Sequence, residues 1–290
     1  MKNKKTYTII HGDSRQVLKS FKDGHFGLIC CSPPYADARK GHYDSIKPED
    51  YPEFMISFHD EFWRVLDDNG SFILNLKDKI VNGQRDRYVW KTIMALSDKG
   101  WLCQDDYIWV KNGMPGYWPN RLRDGWEYCF HLTKSKRVVM YQDAVKQPIG
   151  KWAHKRMPNL KGTDLERHNS RTNSGFSRDL RKWLGKDTVL PSNVLKLGNV
   201  GRNMGHPAVY PVGLPEFFIK LFTKENDFVL DPFGGSGSTG VAALGLGRNV
   251  VLIDTKTEYI KLMADRMEKA TFELSELEKK NEKNESTLEA

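Results

Sequence analysis

Short apolar runs alternate with stretches whose apolar residues recur every three or four positions, first over residues 1–132 and again after residue 213. Residues 7–10 (YTII) predict a strand, and residues 14–21 a helix behind the turn "HGDS". Residues 26–31 (FGLICC) predict a buried strand. Over residues 51–66, Phe54, Phe58, Phe62, Val65 and Leu66 lie at helical spacing; Asn69-Gly70 then marks a stop before a strand at 71–76. Residues 87–97 repeat the helical pattern and end before Gly100. Strands follow at 107–110 and 127–132, joined by a loop rich in Gly, Pro and Asn. Strand alternating with helix predicts an α/β sheet dominated by parallel pairs.

From residue 133 to about 207 the periodicity fades, and basic, Ser, Asn and Gly residues take over. Order resumes with a helix at 214–223, a strand at 228–230, a glycine loop, a helix at 239–246, a strand at 250–253 and a helix at 258–270. The charged, weakly apolar end reads as a frayed helix or tail. The organisation expected is a first α/β part (1–132), an insert (133–206), a second part of the same α/β domain (207–274) and a charged tail (275–290). No internal repeat is visible.

Length changes this picture little, since 290 residues suit one large α/β domain with an insertion or two modest domains. No apolar run reaches the ~18 residues needed to span a membrane, and the start, MKNKKTYTII, lacks the apolar core of a signal peptide. A cytoplasmic location is expected. The four cysteines, Cys30, Cys31, Cys103 and Cys129, form no CxxC pair and no metal-like set with histidine, so a reduced setting without a structural metal is expected. Charge adds more. The net charge is +8, and residues 133–206 carry 16 Lys and Arg against 5 Asp and Glu, which leaves the remainder slightly acidic. Such a segment suits a polyanion partner, and it equally suits a solvated basic surface.

Two motifs carry candidate chemistry. In "VLDPFGGSGSTGVAALGLGRNVVLID", residues 229–254, strand, glycine turn, helix and second strand make a nucleotide-binding unit. Gly235 and Gly237 permit a sharp turn and close backbone approach, and Asp254 ends the second strand, where a carboxylate can accept both hydroxyls of a ribose. Gly235, Gly237 and Gly240 also satisfy GxGxxG, which a nicotinamide-binding domain shares. The other motif, "SPPY" (Ser32, Pro33, Pro34, Tyr35), puts two rigid prolines and an aromatic ring directly after a core strand, where ligands of open α/β sheets bind.

Together, "DPFGGSG" and "SPPY" resemble the S-adenosylmethionine-dependent amino-methyltransferases of DNA, which methylate the exocyclic nitrogen of cytosine or adenine. The catalytic motif precedes the cofactor loop, with the basic region between them, as in the β group of that family. The resemblance implies a circularly permuted, Rossmann-like class I methyltransferase fold: a mixed, mostly parallel sheet with helices on both faces and a basic target-recognition insert. It implies that Ser32, Pro33, Pro34 and Tyr35 are catalytic. It assigns cofactor binding to Cys31, Asp231, Phe233, Gly235, Gly237, Thr239 and Asp254, the last standing where Glu is common. "IIHGDS" resembles the family's Gly-Asp turn and puts Asp13 near the cofactor's adenine. "HPAVYP" supplies His206 and Pro207 before a cofactor-facing helix. "WEYCFHLTKS", residues 126–135, resembles the strand that closes the catalytic subdomain.

The chemistry explains the motif. An exocyclic amino group has its lone pair delocalised into the ring and is paired inside the duplex, so the base must be extruded. The resemblance implies that the Ser32 hydroxyl and Pro33 carbonyl accept hydrogen bonds from that amino group. Tyr35 would stack on the flipped base, worth ~1–3 kcal/mol, and the prolines would hold the turn rigid. No cysteine follows a proline, so the Pro-Cys nucleophile of cytosine C5 enzymes is missing, and Cys30 and Cys31 read as core packing. Serine at the first motif position favours cytosine N4, since family members with Ser often act on cytosine; adenine N6 stays open because nothing in hydroxyl chemistry forbids it.

The expected partner is double-stranded DNA, contacted by basic residues of the insert such as Lys151, Lys155, Arg156, Arg171, Arg178 and Arg181, divided between phosphate anchors and base readers. A cognate restriction endonuclease is expected as a functional rather than physical partner, and a monomer or homodimer is the expected state. Other readings remain. A nicotinamide-dependent oxidoreductase explains the glycine loop but neither "SPPY" nor the basic insert. A non-enzymatic DNA-binding protein explains only the charge. RNA and protein amino-methyltransferases use "NPPY"-like turns too, and the long basic insert favours duplex DNA over them.

Overall fold

Continuously apolar stretches become buried strands, and amphipathic ones become the helices that cover them. In the computed structural model, which describes residues 6–37, 46–111, 117–161, 184–197 and 210–288, the strands are β1 (Tyr7–His11), β2 (Phe26–Cys31), β3 (Leu66–Leu76), β4 (Lys79–Val81), β5 (Gln84–Asp86), β6 (Leu102–Lys111), β7 (Trp126–Thr133), β8 (Gln147–Pro148), β9 (Thr188–Val189), β10 (Val194–Leu197), β11 (Phe228–Asp231) and β12 (Asn249–Asp254). The helices are α1 (Ser14–Val17), α2 (Tyr51–Ile56), α3 (His59–Val65), α4 (Tyr88–Asp98), α5 (Lys151–Arg156), α6 (Gly213–Phe222), α7 (Ser238–Gly245) and α8 (Thr257–Leu288).

One sheet runs in the order β1-β12-β11-β2-β3-β7-β6-β10. Its neighbours are parallel except at β3–β7 and β6–β7, so the mixed, mostly parallel α/β sheet is present. Strands covered on both faces need apolar residues at successive positions rather than alternate ones. That is what β2 supplies, with Phe26, Leu28, Ile29, Cys30 and Cys31 all buried. The helix between β3 and β6 shows the other period: Tyr88, Val89, Thr92, Ile93 and Leu96 form its buried stripe.

Several elements differ from the sequence pattern: β6 starts at Leu102 rather than 107, α1 ends at Val17 rather than 21, and three further differences have local reasons. The helix expected over 51–66 is two helices, because Ser57 turns its hydroxyl onto the Phe54 carbonyl (2.6 Å) and the backbone tightens there. Strand β3 begins at Leu66, not Ser71: Leu66 pairs with Phe26 and Ser71 with Leu28, and residues 67–70 bow out between them. A side chain on Gly70 would meet the Asp67 and Gly27 carbonyl oxygens at 3.0 Å. The last helix continues to Leu288; Lys and Glu favour helix, and Lys279 pairs with Glu276 at 2.8 Å.

The chain divides into two compact units, one from residues 1–141 with 193–290, the other from residues 142–192. In the second, β8 and β9 pair antiparallel, the Ile149 amide donates to the Asp187 carbonyl (2.8 Å), and Ile149 is buried. Helix α5 exposes Lys151, Lys155 and Arg156. Arg171, Arg178 and Arg181 lie outside the described residues. Among the described residues no helix is long and apolar enough to cross a membrane.

Among the described residues, one imidazole is buried in the core. His131 on β7 sets Nε2 2.9 Å from Ser71 Oγ, packs its ring on Phe222, and has no hydrogen-bond partner at Nδ1. Burial lowers its pKa to about 4. In the unfolded chain a histidine titrates near 6.5, so on acidification the unfolded state takes up the proton first. Stability from this group is complete above about pH 6.5 and is lost as pH falls toward 4, by roughly 3 kcal/mol. We expect denaturant unfolding at stepped pH to show that loss in the wild type and its absence in His131→Gln. Equal slopes in the two proteins would assign the acid sensitivity elsewhere.

Candidate active site

Strand β11 ends at Asp231, and residues 232–237 turn the chain into α7. Gly235 (φ 50°) and Gly237 (φ 77°) occupy the left-handed region, open to glycine at little cost. Two glycines also make room for α8: a Cβ on Gly237 would lie 3.2 Å from Met263, and one on Gly240 2.6 Å from the Met267 sulfur. Asp231 is wholly buried. It accepts from the Phe233 amide (3.1 Å), the Thr239 hydroxyl (2.6 Å) and the Tyr210 hydroxyl (3.0 Å), and the two hydroxyls touch one another. Burial pushes its carboxyl up to about 6 despite these bonds.

Asp254, partly exposed at the end of β12, accepts from the amides of Gly235 (2.9 Å) and Lys256 (3.0 Å), while burial raises its pKa. The Gly12 amide donates to the Asp254 carbonyl (3.0 Å), which sets Asp13 beside it. Asp13 caps α1 and grips the Arg15 guanidinium through both carboxylate oxygens, a bond that holds its carboxyl below the usual range. The Ser14 hydroxyl donates to the Pro232 carbonyl (2.6 Å), tying this turn to the glycine loop. Phe233 is partly exposed, with Phe58 and Phe54 at ring separations of 5.1 and 6.3 Å.

The "SPPY" turn leaves β2, and β2 is the parallel neighbour of β11, with Leu28 opposite Val229 and Ile29 opposite Leu230. Both loops therefore leave the sheet at the carboxyl ends of adjacent strands, ~5 Å apart. Pro33 is buried, while Ser32, Pro34 and Tyr35 are partly exposed. The Ser32 hydroxyl donates to Tyr35 Oη (3.2 Å). Tyr35 Oη in turn lies 2.8 Å from Glu127 Oε2 and 3.0 Å from Asn75 Oδ1. Glu127 is ion-paired with Lys111; Glu127 is buried and Lys111 is partly exposed. Burial holds the Tyr35 phenol well above its ordinary pKa.

The structure thus brings Asp13, Asp231, Phe233, Gly235, Gly237, Thr239 and Asp254 around one loop, beside the turn of Ser32 to Tyr35. The Cys31 side chain packs in the core, its thiol pushed up by burial, so only its backbone is offered to a ligand. His206 and Pro207 lie outside the described residues. Sequence reasoning missed Asn75, Lys111, Glu127 and Tyr210. The available signal was a polar residue inside an apolar run, as in "FILNL" and "WEYCF".

A family model described as DNA methylase, of the N6 and N4 type, matches residues 26–265. The chain belongs to the N6/N4 DNA methylase family. This methylase is 28% identical over 287 residues to the Type II methyltransferase M.PvuII of Proteus hauseri, covering 88% of the chain and 82% of that protein. It is 25% identical over 303 residues to the Type II methyltransferase M.SmaI of Serratia marcescens, covering 91% and 92%. Its fold is similar to a solved PvuII DNA methyltransferase described as cytosine-N4-specific (TM-score 0.66, 25% identity, 93% of each chain). It is also similar in fold to a putative DNA modification methylase from Thermus thermophilus complexed with S-adenosyl-L-methionine (TM-score 0.60, 20% identity, 91% and 94%).

Methylases of this family draw on S-adenosylmethionine, and the donor set here suits it. Asp254 offers an accessible carboxylate to a vicinal diol, Phe233 a partly exposed ring to a purine, and the left-handed glycine loop close backbone approach. We expect Asp254→Ala to weaken S-adenosylmethionine binding at least tenfold, since the ribose hydroxyls lose a charged acceptor. Calorimetry measures it, and unchanged affinity would mean that the ribose is held by other groups.

Proposed function

We propose that this methylase transfers the methyl group of S-adenosylmethionine to the exocyclic N4 of a cytosine flipped out of duplex DNA, as the modification enzyme of a Type II restriction-modification system in the cytoplasm. The observation that carries the reading is the adjacency of the "SPPY" turn and the glycine loop on parallel strands β2 and β11. An oxidoreductase has no use for the first, and a DNA-binding protein has none for the second. Likeness to a cytosine-N4-specific structure over 93% of each chain favours cytosine, as does a serine rather than a carboxylate at the first motif position. Adenine N6 is the second reading.

When bound, S-adenosylmethionine supplies an electrophilic methyl group on a sulfonium. Asp254 would hold its ribose and Phe233 its adenine, with Asp13 alongside. Gly235 and Gly237 would let the backbone approach, and Asp231 and Thr239 would keep the loop in shape. Cys31, His206 and Pro207 are assigned to the same pocket on the family pattern. Ser32 and the Pro33 carbonyl would accept hydrogen bonds from the target amino group and redirect its lone pair, while Tyr35 would support the flipped base. Lys151, Lys155 and Arg156, exposed on α5, are assigned with Arg171, Arg178 and Arg181 to the DNA.

Methylome sequencing of a host expressing the protein should show N4-methylcytosine in one sequence context. N6-methyladenine there would move the reading to adenine, and unmodified DNA would end it. Ser32→Ala should lower turnover at least a hundredfold with cofactor affinity near wild type; full activity would remove Ser32 from the chemistry. Lys151→Ala and Lys155→Ala should each weaken binding to cognate and scrambled duplexes alike and flatten the salt dependence by about one unit of slope where the lysine meets a phosphate. Unchanged affinity and slope in both would leave α5 a solvated surface.

A further inference from the structure

Methylating an amino group leaves a proton to be disposed of. The nitrogen that uses its lone pair to form the new N–C bond becomes cationic, and one of its protons must depart. Ser32 can accept that proton only by passing on its own, because a hydroxyl is a poor base. Among the described side chains, a carboxylate is joined to Ser32 by unbroken hydrogen bonds: Ser32 Oγ to Tyr35 Oη at 3.2 Å, and Tyr35 Oη to Glu127 Oε2 at 2.8 Å.

The direction of this chain follows from donor and acceptor chemistry. Glu127 is ion-paired with Lys111 and only accepts. Asn75 donates its Nδ2 to the Tyr128 carbonyl (2.8 Å), so its Oδ1, 3.0 Å from Tyr35, is an acceptor as well. Both groups beneath the phenol accept. Its single proton therefore points inward, its oxygen accepts from Ser32, and the Ser32 lone pairs remain to accept from another donor. No rotation is needed before a proton arrives. Burial keeps the phenol protonated, so Tyr35 releases a proton only as it gains one.

We propose that Ser32, Tyr35 and Glu127 form a proton relay, in which the proton released from the methylated amino nitrogen passes to Ser32 Oγ, the Ser32 proton to Tyr35 Oη, and the Tyr35 proton to Glu127. The step balances. The nitrogen lone pair forms the N–C bond, the pair of the broken S–C bond stays on sulfur, and the positive charge that left the sulfonium ends by neutralising Glu127. Ser32 and Tyr35 finish as neutral hydroxyls. Asn75 and Lys111 are positioning residues, which fix the direction of the phenol proton and the place of the Glu127 carboxylate.

The relay rests on the amino-methylation reading above, and the test separates the two. Single-turnover methyl transfer is measured for wild type, Glu127→Gln, Tyr35→Phe and the double variant. S-adenosylmethionine affinity by calorimetry, duplex affinity by anisotropy and the rate ratio in H₂O and D₂O accompany it. Each single variant should lose at least tenfold in rate, with both affinities within about twofold of wild type and a reduced solvent isotope effect. The double variant should be no slower than the slower single, because a relay broken once is already broken. A wild-type rate in either variant, or losses that multiply in the double, would overturn the relay while leaving methylation of DNA intact. A wild type that leaves DNA unmethylated would end both readings. Should Glu127→Gln not fold, Tyr35→Phe decides alone, since it keeps the Glu127–Lys111 pair.

Discussion

Strand β2 meets strand β11 through a short parallel ladder, Leu28 opposite Val229 and Ile29 opposite Leu230, and the remainder of the molecule is arranged around that register. A slip of two residues along a strand moves its end by nearly 7 Å, and a slip of one turns every side chain to the other face. Either would separate the "SPPY" turn from the glycine loop by more than a hydrogen bond can bridge. The register is held by burial: Leu28, Ile29, Val229 and Leu230 are all wholly inaccessible. Displacing any of them would expose apolar surface worth about 2 kcal/mol per side chain.

Just above this apolar pair the carboxyl ends of the strands turn polar, and the polar groups are largely paired with one another. Asp231 is enclosed by Tyr210, Thr239 and the Phe233 amide; Glu127 is enclosed by Lys111, Tyr35 and Asn75. Buried charges of this kind add little net stability, yet removing one partner is costly because the other is left unsatisfied. Their effect here is geometric. They fix the two turns as rigid supports, one for each side of the site, so ordering costs are met on folding rather than on substrate binding.

Much of this was legible in the sequence where one residue type has one physical use. Glycines and prolines punctuate, so the loop at Gly235 and Gly237 and the turn at Pro33-Pro34 could be located from composition alone. Uninterrupted apolar runs located β2 and β11, and helical spacing located α4 and α6. The break at Ser57 was hidden because a serine in a helix is ordinary until its hydroxyl chooses a carbonyl. Strand β3 began earlier than expected because pairing with Phe26, not composition, recruits Leu66. Asn75 and Glu127 were invisible as site residues for a related reason: they meet Tyr35 from 40 and 92 positions away, and only the β3–β7 pairing joins them.

The outer edge of the sheet has a consequence for how the molecule is made. Strand β1 pairs with β12, and Thr6 and Asn249, hydrogen-bonded at 3.1 Å beside that edge, are 243 positions apart. During synthesis at ~5–20 residues per second, the first strand leaves the ribosome roughly ten to fifty seconds before its partner exists. Strand β2 can pair early with β3, but its other edge stays open until β11 arrives. The nascent chain therefore carries a Phe-Gly-Leu-Ile-Cys-Cys strand with one unpaired side while the roughly two hundred residues before β11 are made, and its yield in a crowded cell depends on how well that edge is shielded until Phe228–Asp231 emerge.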